Sequence, residues 1–246
     1  MSKKNILLIN TDGPEHRVAL MEQGNLAELF IERKQGKSNV GNVYKGRVVR
    51  VMPGMQAAFV DIGMEKAAFL YVTDVVGGRI PAKIKLFLHD QDTDEETLEE
   101  GEEVDLDDEV EETSPVLPRI DGLLSPGQEI LVQVAKDPLG TKGSRVTGYI
   151  TLPGRHLVYM PYVDHVGISR KIALEEERDR LKDLMDELRP PTSGFIVRTA
   201  AEGQEREKLQ SDMDYLLLLY KTVQERYRTS PVPALIFEEL GTIWRR

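Results

Sequence analysis

Cysteine does not occur in the 246 residues, so a disulfide framework and a thiolate metal site are both excluded. That fits a reducing cytoplasm. Long apolar runs are missing as well. The Ile6–Ile9 stretch near the N-terminus is too short for the core of a signal peptide. No segment approaches the roughly 18 apolar residues of a membrane span. The expectation is a soluble, cytoplasmic protein. Histidine is sparse and scattered, at His16, His89, His156 and His165, and no His, Asp or Glu group has metal-ligand spacing. There is no nucleophile elbow and no Ser/His/Asp arrangement. Nothing in the sequence reads as an active site.

Basic residues are missing from one stretch altogether. Asp90 to Glu112 holds 15 Asp or Glu and no Lys or Arg, within a chain of formal net charge −10. Setting this run aside leaves about +5 for the remainder. A tract of one charge sign with few aromatics is expected to be a solvated, disordered loop. Mild basicity elsewhere is a weak pointer to nucleic acid.

Hydrophobic residues make up 40% of the chain, enough for a real core. Residues 1–39 read as three short strands: Ile6–Ile9, then His16–Glu22 and Leu26–Glu32 around a turn at Gly24-Asn25. Three such strands rarely stand alone and call for partners. Residues 40–150 look all-β, with strands over 42–51, 56–62, 66–72, 129–136 and 144–152 split by Gly and Pro turns. Five strands with one long connection match an OB-type barrel, the acidic insertion falling at about 88–118, between the third and fourth strands. In the first strand, Val43, Lys45, Arg47 and Val49 alternate with Tyr44, Gly46, Val48 and Arg50. Residues 151–243 change to an α+β pattern. Strands over 154–161, 167–172 and 195–198 combine with two helices. The first helix, over 173–188, carries Leu174, Leu181, Met185 and Leu188 on one face and ends at Pro190-Pro191. The second, over 205–227, has Leu209, Met213, Leu216, Tyr220, Val223 and Tyr227 at alternating spacings of four and three, a core-facing stripe.

Single-stranded nucleic acid is held by aromatic rings that stack on bases and by cations that meet phosphates. Phe59 and Phe69 lie on neighbouring barrel strands beside small residues, Ala57-Ala58 and Ala67-Ala68, and Lys45, Arg47, Arg50, Lys66, Lys142 and Arg145 lie near the same strands. Both rings are equally compatible with a place in the barrel interior. Gly140-Thr141-Lys142-Gly143-Ser144 lacks the spacing of a Walker A loop, and no helix is expected after it, so that reading is rejected. A glycine-flanked lysine on a turn still suits an RNA phosphate. Arg198-Thr199, at a strand end, sets a guanidinium beside a hydroxyl, a pair suited to a terminal phosphate, and Arg170, after Ser169, could converge on the same place. The alternative is an ordinary surface arginine with an incidental neighbour.

Several blocks together are more specific. Val40-Gly41-Asn42-Val43-Tyr44-Lys45-Gly46, Pro53-Gly54-Met55-Gln56-Ala57-Ala58-Phe59-Val60-Asp61-Ile62-Gly63 and Ala67-Ala68-Phe69-Leu70 resemble the opening of ribonuclease E/G proteins. So do Leu152-Pro153-Gly154, Gly167-Ile168-Ser169-Arg170-Lys171-Ile172 and Gly194-Phe195-Ile196-Val197-Arg198-Thr199-Ala200. The resemblance spans nearly the whole chain, apart from the acidic tract. It implies an endoribonuclease of single-stranded RNA, active in mRNA decay and in ribosomal and transfer RNA maturation. The implied fold is an S1-type OB barrel inserted into a ribonuclease-H-like fold and followed by a sensor domain for an RNA 5′-monophosphate. By motif match, Phe59, Phe69 and Lys142 would contact RNA on the barrel, while Gly154, Val158, Arg170, Arg198 and Thr199 would line the 5′-phosphate pocket.

In the family the catalytic domain follows later, with magnesium-binding Asp residues and a zinc-linking Cys pair, and the full-length protein is a homo-oligomer. The chain is therefore expected to be an N-terminal portion that binds and senses RNA without cleaving it. Two other readings remain: a stand-alone single-stranded RNA-binding adaptor, and an OB protein of the translation type.

Overall fold

The computed structural model describes residues 5–10, 12–13, 15–33, 38–76, 119–140 and 142–239, the side chains of His16, Glu32 and Arg33 excepted. The acidic tract and the insertion at 88–118 lie outside the described residues.

Strands β1 (Asn5–Asn10), β2 (Glu15–Glu22) and β3 (Asn25–Arg33) form an antiparallel sheet in that order. The hairpin turn falls at Gln23-Gly24, one residue before the expected place. Both residues have positive φ, 53° and 85°, which is how a two-residue turn matches the twist of its strands. Ile6, Leu7, Leu8 and Ile9 are all exposed. Successive side chains point to opposite faces, so this sheet offers apolar surface on both sides.

Strands β4 (Val43–Met52), β5 (Ala57–Asp61), β6 (Ala68–Tyr71), β7 (Glu129–Lys136) and β8 (Arg145–Thr147) close into a five-stranded barrel of the OB type. All neighbours pair antiparallel except β6 and β8, which run parallel, and β4 with β7 completes the ring. Tyr44, Val48, Ala58, Val60, Ala68, Leu70, Val132, Val134 and Val146 fill the interior, joined by Ile120 of the short helix α1 (Ile120–Leu123). Gly46 faces inward too, where a Cβ would come within 2.6 Å of Val60.

The strand expected over 144–152 stops at Thr147. There the Gly148 N–H donates to the Asp74 carbonyl at 2.7 Å, and Leu152 passes into a second sheet. That sheet holds β9 (Leu152–Pro153), β10 (Leu157–Met160), β11 (Val166–Ile168) and β12 (Gly194–Val197) in the order β11-β12-β10-β9. Helix α2 (Glu175–Leu188) connects β11 to β12, which pair in parallel, as a crossover connection permits. Helix α3 (Arg206–Thr229) follows. Leu181 and Met185 of α2, Leu209, Met213, Leu216 and Val223 of α3, and Leu157, Phe195 and Val197 of the sheet share one core. Leu174 departs from the expected helix face: it is 67% exposed, because it caps α2 in an extended conformation instead of lying within it. Pro190 ends α2 as expected, since the residue before a proline is driven out of helical geometry, and Arg189 is indeed extended.

A final strand, β13 (Ala234–Phe237), was not anticipated. It returns from α3 and pairs with β4. Val43, the first residue of β4, and Ile150, just beyond β8, are packed in the core of the second unit. The two units are therefore joined by a shared strand edge and shared apolar contacts.

Candidate nucleic-acid interface

Residues 57–60 and 68–70 show how the barrel presents aromatic rings. Ala58, Val60, Ala68 and Leu70 point inward, so period-two alternation sends Phe59 and Phe69 to the outer face. The two are register partners, half-buried, with ring centroids 6.0 Å apart at 73°. Of the small alanines, Ala58 and Ala68 are themselves interior residues. A β-bulge then corrects the reading of β4. Val48 pairs with Val60, but Arg50 pairs with Phe59, so the extra residue turns Arg50 outward from the inward set. On the other side of β6, Phe69 pairs with Arg145 of β8. The result is one outer row, Arg50, Phe59, Phe69, Arg145, with a guanidinium-bearing residue at each end. The Arg145 Nη2 also donates to Asp74 at 2.9 Å.

Lys142 is exposed in the loop that leads into β8. That loop is held against β6: the Phe69 N–H donates to the Ser144 carbonyl at 2.8 Å, and Lys66 donates to the Gly140 carbonyl at 2.9 Å. A strand follows this loop and not a helix, so it has no Walker A geometry. Lys45 is different from the other candidates. It is buried, donates to Glu129 and to the Ser230 carbonyl at 3.0 Å each, and lies over the Tyr227 ring. It joins barrel to helix and takes no part in the outer row.

The second cluster forms where the parallel strands β11 and β12 end side by side. Arg198 and Thr199 follow β12, Ser169 and Arg170 follow β11, and Arg170 is exposed. The Ser169 N–H donates to the Val197 carbonyl at 2.9 Å, and the Ser169 and Thr199 hydroxyls are 3.0 Å apart. Arg198 Nη1 donates to the Gly154 carbonyl at 2.6 Å. Val158 is half-buried opposite Ile196, on the face away from Leu157 and Val197. Gly154, Arg198, Thr199 and Ser169 are thus connected by direct contacts, with Val158 and Arg170 at their sides.

Two supports of this cluster were not legible in the sequence. Glu177 of α2 accepts Arg180 through both oxygens and the Gly203 N–H at 2.8 Å. The Arg180 guanidinium holds the Glu177 carboxyl at about 2. Arg180 also donates to the Gln204 carbonyl at 3.2 Å, so the turn after Thr199 is tied to α2. The other is Asp212 of α3, whose carboxylate accepts the backbone N–H groups of Arg155, His156 and Leu157 at 3.2, 2.8 and 2.9 Å. The turn after Gly154 is thus held by a carboxylate from within a helix.

His156 is buried, and its Nδ1 makes no hydrogen bond. Burial holds its imidazole below the ordinary histidine value, against the opposing pull of Asp212. A group with a depressed pKa adds stability above its unfolded value and loses it as pH falls toward the folded value. Acidification from neutrality through the histidine range should therefore lower the urea midpoint, and His156→Gln should flatten that slope. An unchanged slope in the variant would assign the effect elsewhere.

Among the described residues no helix is long and apolar enough to cross a membrane, and no group of three or more His, Asp or Glu could hold a metal ion. A family model, "Ribonuclease E/G family", matches residues 151–246. The chain is similar to ribonuclease G of Haemophilus influenzae, 45% identical over 95% of this chain and 42% of the relative. It is similar to ribonuclease G of Escherichia coli at 43% identity, over 97% of this chain and 44% of the relative. Ribonuclease E of a Nostoc strain matches at 35% identity, over 89% of this chain and 28% of the relative. The chain thus spans less than half the length of these curated relatives. With 43–45% identity to these ribonuclease G proteins over 95–97% of its length, and the family model matching over 151–246, the chain belongs to the ribonuclease E/G family.

Proposed function

We propose that this chain is the RNA-binding part of a cytoplasmic endoribonuclease that acts in RNA processing and decay, and that it senses a 5′-monophosphate. The outer row Arg50, Phe59, Phe69, Arg145 carries the RNA reading. Rings on a barrel's outer face with cations beside them are what a base-stacking, phosphate-tracking surface requires. The Arg198, Thr199 and Ser169 group supports the 5′-end reading, because a guanidinium and a hydroxyl pair carried on adjoining strand ends suit a compact dianion. The β1–β3 sheet, apolar on both faces, supports membership of a larger layered fold of the ribonuclease-H type. Magnesium, zinc and homo-oligomerisation belong to the full-length family protein in this reading, and no described residue is assigned to them.

Binding to a single-stranded oligonucleotide should weaken as salt rises, since each phosphate neutralised releases counterions. Phe59→Ala should weaken it by about 1–3 kcal/mol if the ring stacks on a base. The ring lies outside the barrel interior, so the variant should melt close to the parent. Filter binding at two salt concentrations reads both effects. Parent-like affinity in a folded Phe59→Ala protein would remove the stacking role.

A further inference from the structure

We propose that Asp212 is a positioning residue for the 5′-phosphate grip, acting through the backbone of residues 154–157. The proposal rests on the 5′-monophosphate reading given above. Asp212 touches neither Arg198 nor Thr199 in the contacts that define the cluster. It holds the turn that holds Arg198.

The chain of contacts has two steps. Asp212 Oδ2 accepts the N–H groups of His156 and Leu157, and Oδ1 accepts that of Arg155. Three successive N–H groups converging on one acceptor make an anion-binding concavity of the backbone. Here a carboxylate from α3 occupies it. The same turn then presents the Gly154 carbonyl to Arg198 Nη1 at 2.6 Å, and the Arg198 N–H donates to the His156 carbonyl at 2.8 Å. Both the backbone and the guanidinium of Arg198 are thus fixed on the segment that Asp212 pins. A fork that must meet a phosphate in its plane depends on that orientation.

Gly154 gives independent support. A Cβ at this position would come within 2.6 and 2.7 Å of the two Asp212 carboxylate oxygens. Glycine is needed here because the carboxylate approaches so closely. The φ of Gly154 does not lie in the left-handed region, so backbone freedom is not the reason. The glycine in this turn and the aspartate on the helix are two halves of one contact.

Asp212→Asn keeps size and shape but replaces one acceptor oxygen by an NH2 group that faces N–H donors. The turn loses acceptors and Arg198 loses its fixed carbonyl. The experiment titrates one oligonucleotide carrying either a 5′-monophosphate or a 5′-hydroxyl against the parent, Asp212→Asn, Gly154→Ala and Arg198→Lys. Melting temperature is recorded for each. The expected result is a loss of about ten-fold in the monophosphate-to-hydroxyl affinity ratio for Asp212→Asn and Gly154→Ala, the equivalent of one charged contact loosened. Binding of the 5′-hydroxyl oligonucleotide should stay at the parent level, which a general loss of folding would not allow. Should Asp212→Asn melt below the assay temperature, Asp212→Glu, which keeps the charge but displaces the carboxylate by one methylene, is read in its place with the same expectation. A parent-like ratio in the folded Asp212 variant, alongside a collapsed ratio in Arg198→Lys, would overturn the positioning role and leave the pocket standing. A parent ratio of one would overturn the 5′-sensing reading and this proposal with it.

Discussion

Arg198→Lys is expected to reduce the preference for a 5′-monophosphate over a 5′-hydroxyl by one to two decades, the equivalent of about 1.5–3 kcal/mol for a charged hydrogen bond. A terminal monophosphate carries close to two negative charges, more than an internal phosphodiester. The Arg198 guanidinium already donates to the Gly154 carbonyl at 2.6 Å, so its plane is set before any ligand arrives. Lysine keeps the charge, but its rotatable ammonium lacks the rigid fork that spans a carbonyl and a phosphate together. Thr199 and Ser169, with hydroxyls 3.0 Å apart, remain in the variant and should retain part of the affinity. Binding of the 5′-hydroxyl oligonucleotide, assigned to the barrel, should stay nearly unchanged. The measurement is a paired titration of both ends against parent and variant. Equal affinity of the parent for the two ends would sink the 5′-end reading and leave the barrel surface standing.

Local periodicity made the helices legible and left their surroundings obscure. The four-and-three spacing along α3 identifies Leu209, Met213, Leu216 and Val223 correctly as core. Tyr220 and Tyr227 share that stripe yet stay half-buried, because their hydroxyls reach outward. Tyr220 donates to the Tyr162 hydroxyl at 3.1 Å, and Tyr227 to the Glu129 carbonyl at 3.2 Å. Strand β13 was missed for a related reason. Its partner β4 lies far back in the chain, and a four-residue edge strand has too little alternation of its own to announce the pairing. The bulge that turns Arg50 outward is likewise a property of two strands in register; neither strand shows it alone.

The candidate site divides along the same line. Residues whose chemistry is carried by their own side chains, Phe59, Phe69, Arg198 and Thr199, could be picked out by type and neighbourhood. Whether the rings faced in or out could not, until Val60 and Leu70 were seen to take the interior. Asp212 offered no signal, because its partners are main-chain N–H groups 55 to 57 positions away, and any sequence supplies those. Lys45 misled in the opposite direction. A lysine on a strand of a nucleic-acid-binding barrel invites a phosphate role, but this one is spent on Glu129 and the Ser230 carbonyl.

Gly143→Ala should damage the barrel more than its single methyl suggests. Glycine in a Gly-Thr-Lys-Gly-Ser run reads as loop freedom, but Gly143 does not have a left-handed φ. Its reason is close approach. A Cβ there would lie 2.9 Å from the Ala67 carbonyl carbon and well inside contact with the carbonyl oxygen. Both are backbone atoms, and neither can swing aside as a side-chain end would. The strain falls on the parallel seam between β6 and β8, which is only two residue pairs long, Phe69 with Arg145 and Leu70 with Val146. The adjoining bond from the Phe69 N–H to the Ser144 carbonyl, 2.8 Å long, opens with it. Overpacking of this kind costs about 1–3 kcal/mol and occasionally more, so the melting temperature should fall by several degrees. RNA affinity should fall too, because Lys142 and Arg145 ride on the displaced segment. Gly122→Ala is the matched control: it sits in α1 with nothing within 4 Å of the added methyl, and it should melt at or above the parent, since alanine favours a helix over glycine. If Gly143→Ala melts with the parent, the seam is not held by that contact.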